Sequence, residues 1–121
     1  MNILNTHFRP GTPGDDLLAL PDANGFHLLA IPEIIRCRAD GNYTILHRQN
    51  EPELLVCRQL GKLEPLLTPH GFLRVHHSHL VNLRTVKQFV KRKKDGRLLL
   101  FNGDVVPVAR SRRPEIGRAH V

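Results

Sequence analysis

"VKQFVKRKKDGRLLLFNGDVVPVA", residues 86 to 109, decides the fold class. Apolar and polar residues alternate through its first third, then again around "RLLLF" and "DVVPVA", the two-residue period of strands whose side chains point to opposite faces. Asp95-Gly96 and Asn102-Gly103 separate the three runs. Both pairs tolerate the positive φ angles of tight hairpin turns, so the stretch is expected to be a three-stranded meander. Pro107 has no N–H for a ladder, which puts the last strand at a sheet edge or a bulge.

Working back from residue 86, "FLRVHHSHLVNL", residues 72 to 83, sets three histidines, an arginine, a serine and an asparagine among apolar residues. That mixture suits neither a plain core strand nor a plain solvent loop. Before it, "QLGKLEPLL" is the single segment with helical spacing, with Leu60, Leu63 and Leu67 on one stripe, and Gly61 and Pro65 keep that helix short. Two further hairpins are expected upstream: "LLAL" and "FHLLAI" around "PDANG", then "NYTILHR" and "LLVCR" around "QNEPE". The opening residues, ending "RPGTPG", read as an arm or linker, and the tail "RSRRPEIGRAHV" shows no clear period. The fold class expected is mostly β with one short helix.

A chain of 121 residues fits one domain able to build its own core. Cys37 and Cys57 match no close-set zinc spacing and read as small buried hydrophobes of a reduced, cytoplasmic protein. No run approaches the roughly 18 apolar residues of a membrane span. The formal charge of +7 is unevenly placed: residues 1 to 71 hold six basic and eight acidic side chains, residues 72 to 121 twelve and three, giving −2 and +9. A basic field of that density attracts polyanions such as nucleic acid or an anionic membrane surface, although a solubilising face would show the same composition.

Eight histidines raise the question of a metal. His76 and His77 point to opposite faces of a strand and no cysteine lies near, so spacing assembles no tetrahedral set. Paired histidines beside Lys or Arg also suit a phosphodiester hydrolase, yet no carboxylate is placed to orient a base and no nucleophile motif is present. Neither a cofactor nor catalysis is expected. Nucleic-acid binding asks for less: Arg, Lys, Ser and Asn hold phosphates, while Arg reads guanine, Asn adenine, and His or Ser read more loosely. Such groups occur at the expected turns in "DGNYT" (40 to 44), "HHS" (76 to 78) and "ARSRR" (109 to 113). The run Lys91, Arg92, Lys93 and Lys94 suits phosphates, or else forms a solvated hairpin tip.

Four ordered pieces carry a resemblance: "IPEIIRCRADGNYTILH", "CRQLGKLEPLL", "GFLRVHHSHLVNL" and "GRLLLFNGDVVPVARSRR". Together they resemble the LytTR DNA-binding domain found at the output end of bacterial response regulators. The third, with its Gly-Phe, Arg-x-His, Ser and Val-Asn spacing, is the most specific. The similarity runs over residues 16 to 116, leaving 1 to 15 as arm and 117 to 121 as tail. It implies packed β-sheets with one short helix, whose loops enter successive major grooves of direct-repeat sites, and a sequence-specific transcription regulator without catalysis.

Carried over by position, the resemblance implies Asn42 and Tyr43 on a first reading loop, His77 on a middle loop and Arg110 on a last. Asn42, His77 and Arg110 are the expected base contacts, Arg110 foremost because its fork matches guanine O6 and N7. Tyr43, Ser78, Lys91 to Lys94, Ser111, Arg112 and Arg113 are expected on the DNA backbone. Structural roles compete at three positions: Tyr43 packing on the sheet, His76 as a hydrogen-bonded ring, and Asn82 bonding turn backbone. The partners implied are double-stranded DNA, with RNA polymerase or a regulatory protein, and copies lying side by side on DNA. A second reading is a protein-interaction module with DNA binding secondary, suggested by the fewer than twenty residues before the domain, where response regulators carry a receiver.

Overall fold

The computed structural model describes residues 16–22 and 24–119, so the arm expected over residues 1 to 15 lies outside the described residues. Ten strands dominate the described residues. Strands β1 (Leu17–Asp22) and β2 (Gly25–Ala30) form a hairpin; β3 (Ile34–Asp40), β4 (Tyr43–Arg48), β5 (Glu51–Val56), β6 (Phe72–His76) and β7 (His79–Asn82) form a five-stranded sheet; β8 (Val86–Lys91), β9 (Gly96–Leu100) and β10 (Val105–Val108) form the meander. All four pairings expected around turn sequences, two upstream and two in the meander, are present and antiparallel.

The five-stranded sheet, ordered β5-β4-β3-β7-β6, is the middle layer of three. On one side its Cys37, Leu46, Phe72 and Leu80 join Leu20 and Leu29 of the first hairpin and Leu60, Leu63 and Leu67 of helix α1 (Leu60–Leu67). On the other, Ile35, Val75 and Val81 join Leu98, Leu100, Val106 and Val108 of the meander and Ile116 of helix α2 (Arg113–Ala119). Adjacent residues Leu80 and Val81 thus enter opposite cores, as strand geometry requires, and both are fully buried. This explains why "HLVN" lacks a polar face. Truncating either would remove well-packed volume and cost about 2 to 5 kcal/mol.

Three details differ from expectation. A second short helix, α2, forms from "RPEIGRA" and runs beyond residue 116; among its described side chains Ile116 alone is buried, too few for a period to show in sequence. The Asp95-Gly96 pair is not the hairpin turn: residues 92 to 95 make the connection, closed by the Arg92 N–H donating to the Asp95 carbonyl at 2.9 Å, and Gly96 is the buried first residue of β9. Its missing side chain makes room for Phe89, since a Cβ there would sit 2.7 Å from the ring. Cys57 is exposed, whereas Cys37 is buried and its thiol is pushed up to about 12 by that burial, against the lowering field of Arg36.

Elsewhere the structure follows the residues. Gly103 takes φ 94° in the β9–β10 turn, and β10, with Pro107, is an edge strand. Helix α1 buries the expected leucine stripe despite Pro65. No helix among the described residues is long and apolar enough to cross a membrane.

Candidate nucleic-acid interface

Register places the candidate loops at one end of the middle sheet. The β3–β4 ladder closes at Asp40–Tyr43, exposing Gly41 and Asn42, and the β6–β7 ladder closes at His76–His79, exposing His77. Because Arg38 of β3 pairs with His79 of β7, the two turns emerge side by side, and the Ala39 N–H donates to the Ser78 carbonyl at 2.9 Å. The last loop is anchored to the same end by the Ala109 N–H, which donates to the Val75 carbonyl at 2.8 Å. From there one 3-10 turn, Arg110–Arg112, leads into α2. Gly96 pairs with both Val108 and Lys91, so the β8–β9 tip reaches this end too.

The first turn carries Gly41 at φ 61°, a left-handed geometry that glycine adopts without a Cβ clash. Asn42 and Tyr43 are exposed. The Asn42 Oδ1 accepts from Gln59 Nε2 at 3.0 Å, and Thr44 Oγ1 donates to the Arg58 carbonyl at 2.7 Å, so the segment preceding α1 buttresses this turn. Gln59 carried no signal in the sequence, because a polar residue before a helix has many ordinary reasons to be there.

The middle turn is held from beneath by Arg74. Its Nη1 pairs with Glu64 Oε1 of α1 at 2.9 Å, its Nε donates to the His76 carbonyl at 3.3 Å, and its Nη2 donates to the His77 carbonyl. Two carbonyls of the turn thus accept from one charged donor. His76 Nδ1 accepts from the Ser78 N–H at 3.1 Å, so this ring serves the turn, as its structural reading held. The His77 and His79 rings lie 4.4 and 5.4 Å from that of His76. Burial first, then the positive fields of His76, Arg36, Arg38 and His77, lower the His79 pKa to about 4. Near neutral pH His79 is therefore an uncharged ring within the cluster, and His77 is the exposed member. Among the described residues, no three His, Cys, Asp or Glu side chains group as metal ligands.

In the last loop Arg110 is exposed, its Nε donating weakly to the Lys94 carbonyl at 3.4 Å, while Ser111 and Lys91 to Lys94 face solvent. Arg112 is engaged by Glu115 at 3.2 Å. Arg113 turns inward: its Nε and Nη2 are buried without a hydrogen-bond partner among the described residues, which leaves its Nη1 end for any phosphate. Asn82 behaves as its turn-bonding reading required, its Oδ1 accepting from the Arg84 N–H at 3.1 Å and its Nδ2 donating to the Ile34 carbonyl at 3.0 Å.

The family model of the LytTr DNA-binding domain matches residues 24–119. The chain belongs to the LytTr DNA-binding domain family. Membership makes it a DNA-binding domain. It is 38% identical over 80 residues to the CO-responsive transcriptional regulator RcoM of Rhodospirillum rubrum, covering 64% of this chain and 34% of that protein. It is 33% identical over 91 residues to the heme-containing CO-sensing transcriptional regulator RcoM 1 of Paraburkholderia xenovorans, covering 74% and 34%. The chain therefore spans about a third of the length of these relatives. A solved LytTr domain of a putative methyl-accepting/DNA response regulator from Bacillus cereus superposes with TM-score 0.73 at 22% identity, covering 87% of this chain and 96% of that one, a likeness of fold.

Proposed function

We propose that this LytTr domain is the sequence-reading part of a bacterial, cytoplasmic transcription regulator, and that it inserts its turns into successive major grooves of direct-repeat sites. Asn42, His77 and Arg110 contact base edges in this reading. Tyr43, Ser78, Ser111, Arg112 and Lys91 to Lys94 hold the backbone, with Arg113 contributing only its outer nitrogen. The observation that supports it best is the convergence of the 41–43, 76–78 and 110–112 segments on one end of the sheet, tied by the Ala39–Ser78 and Ala109–Val75 bonds. Three turns fixed to a sheet keep their spacing when they meet DNA, so little ordering entropy opposes binding.

Lysine and arginine at the β8–β9 tip provide the sequence-independent attraction, each neutralised phosphate adding about 0.9 to the slope of log affinity against log salt. Arg110 provides discrimination, about 1 to 3 kcal/mol for a bidentate guanine contact. Two copies would bind side by side along a repeat, with RNA polymerase or a regulatory protein as the further partner. A random-pool selection of bound duplexes tests the reading directly. It should return a motif repeated at a spacing near a whole number of helical turns; equal retention of selected and scrambled duplexes across a salt series would remove specific readout from this domain.

A further inference from the structure

The opposite end of the domain carries a cleft of about 410 Å³ that the DNA reading does not use. It lies where the β4–β5 turn, the 3-10 turn Leu83–Thr85 and the β9–β10 turn meet, and Ile35, Arg48, Asn50, Arg84, Thr85 and Phe101 line it. The meeting is fixed by backbone bonds: the Phe101 N–H donates to the Thr85 carbonyl at 2.9 Å, and Gln49 N–H to the Glu33 carbonyl at 2.8 Å.

Its chemistry is cationic on one side and apolar on the other. Arg48 is held by its own turn, Nε and Nη2 donating to the Pro52 carbonyl at 3.3 and 2.9 Å, so its fork is set in place with Nη1 uncommitted among the described residues. Arg84 is exposed, its backbone pinned by Asn82, and its guanidinium has no carboxylate partner among the described residues. The carboxylate on the β9–β10 turn, Asp104, is already engaged by Arg36 at 2.9 Å; burial raises its pKa, but hydrogen bonds from Arg36 and Asn102 hold it below its ordinary value. Glu33 and Glu51, on neighbouring turns, form no ion pair with either arginine. Against these two cations stand the buried Ile35 and Phe101, which at 70% is the most exposed large hydrophobic residue described.

We propose that this cleft binds a carboxylate carried beside an aromatic or branched aliphatic group. Arg48 and Arg84 take the carboxylate by charge-assisted hydrogen bonds, and Phe101 and Ile35 cover the apolar part. A phosphate alone would leave that apolar half unused. The cleft is remote from the 41–43 and 76–78 turns, so occupancy is compatible with bound DNA. Two sources present this chemistry: a small arylalkanoic acid, or an acidic segment of a protein with an aromatic side chain.

The test is a titration of the full chain followed by amide chemical shifts, with four probes: phenylacetate, its uncharged amide, inorganic phosphate, and an acetylated Asp–Phe–Asp peptide amide. Saturable shifts are expected at Asn50, Thr85, Phe101 and Asn102 with phenylacetate or the peptide, and the tighter of the two identifies the source. Arg84→Ala and Phe101→Ser, both at exposed positions, should each weaken binding by about 10-fold, as loss of one charged or apolar contact predicts. Arg48→Ala should do the same, and the two exposed variants decide the matter if it unfolds. The proposal is overturned if the amide or phosphate reproduces the shifts, if the shifts fall on residues 41 to 43 and 76 to 79 instead, or if nothing saturates below about 20 mM.

Discussion

The Ala39 amide donates to the Ser78 carbonyl at 2.9 Å, extending the β3–β7 pairing by one bond beyond Arg38–His79. Two turns far apart in the chain, one with Asn42 and one with His77, are thereby fixed at the same height on the sheet. Neither can shift without breaking a ladder bond, so their relative spacing is a property of the fold and not of the ligand.

Arg74 is the strut beneath this arrangement. Arg74→Ala leaves the carbonyls of His76 and His77 without their charged donor and Glu64 without its partner, and should lower unfolding free energy by about 1 to 3 kcal/mol in a urea titration. Duplex affinity should fall with it, and Arg74→Lys should recover little, since one ammonium cannot span three acceptors. A wild-type urea midpoint for Arg74→Ala would remove the strut role.

In the proposed reading, Arg110 supplies specificity and Lys93 supplies affinity. Arg110→Ala should lose about 1 to 3 kcal/mol on the selected site and little on scrambled DNA. Lys93→Ala should weaken both duplexes alike and reduce the salt slope by about 1. Fluorescence anisotropy over a salt series separates the two, and matching profiles for both variants would contradict the division.

Acid should loosen the middle turn. The His79 pKa is lowered to about 4 in the fold from an ordinary 6.5, so the folded state binds fewer protons between those values. Its contribution to stability is complete above pH 6.5 and is lost as pH falls through that window towards 4. Solvent reaches part of the ring, so the loss is about 1 kcal/mol rather than the full linkage value. His76 and His47, also lowered chiefly by burial, act in the same direction. Thermal melts at pH 7 and pH 4.5 should therefore differ less for His79→Gln than for the parent chain; an unchanged difference would show that His79 is not a main contributor.

Gly96→Ala should destabilise although it raises strand propensity. A Cβ there lies 2.7 Å from Phe89 Cε1 and 3.1 Å from Cζ, so the ring must move from a packed position, at about 1 to 3 kcal/mol. Calorimetry on Gly96→Ala alone and with Phe89→Leu checks the cause, because the smaller side chain should restore part of the loss.

The strands and hairpins were legible because they leave a two-residue period and because Asn102-Gly103 and "PDANG" mark reversals. The turns as candidate sites were legible because polar residues interrupt apolar runs there. Gln59, the Arg74 strut and the inward Arg113 were not, since each acts through a residue on another element: Asn42, Glu64 and the Gly96 region. The 95–96 glycine misled for the same reason. Asp-Gly is a turn signal locally, but the space above Gly96 is set by Phe89 of β8 and Arg113 at the start of α2.

The amino-acid sequence by itself determined a mostly β chain with a basic second half and a leucine-striped helix, and its motif order pointed to the family. These depend on local periodicity and composition, which need no partner to be read. Only the tertiary structure decided that one sheet is buried on both faces, that three polar turns share one end, and that Arg48 and Arg84 meet Phe101 at the other. Those are facts of strand order and register, where residues dozens of positions apart are brought together by shared burial, and no single stretch of chain encodes its neighbours across a sheet.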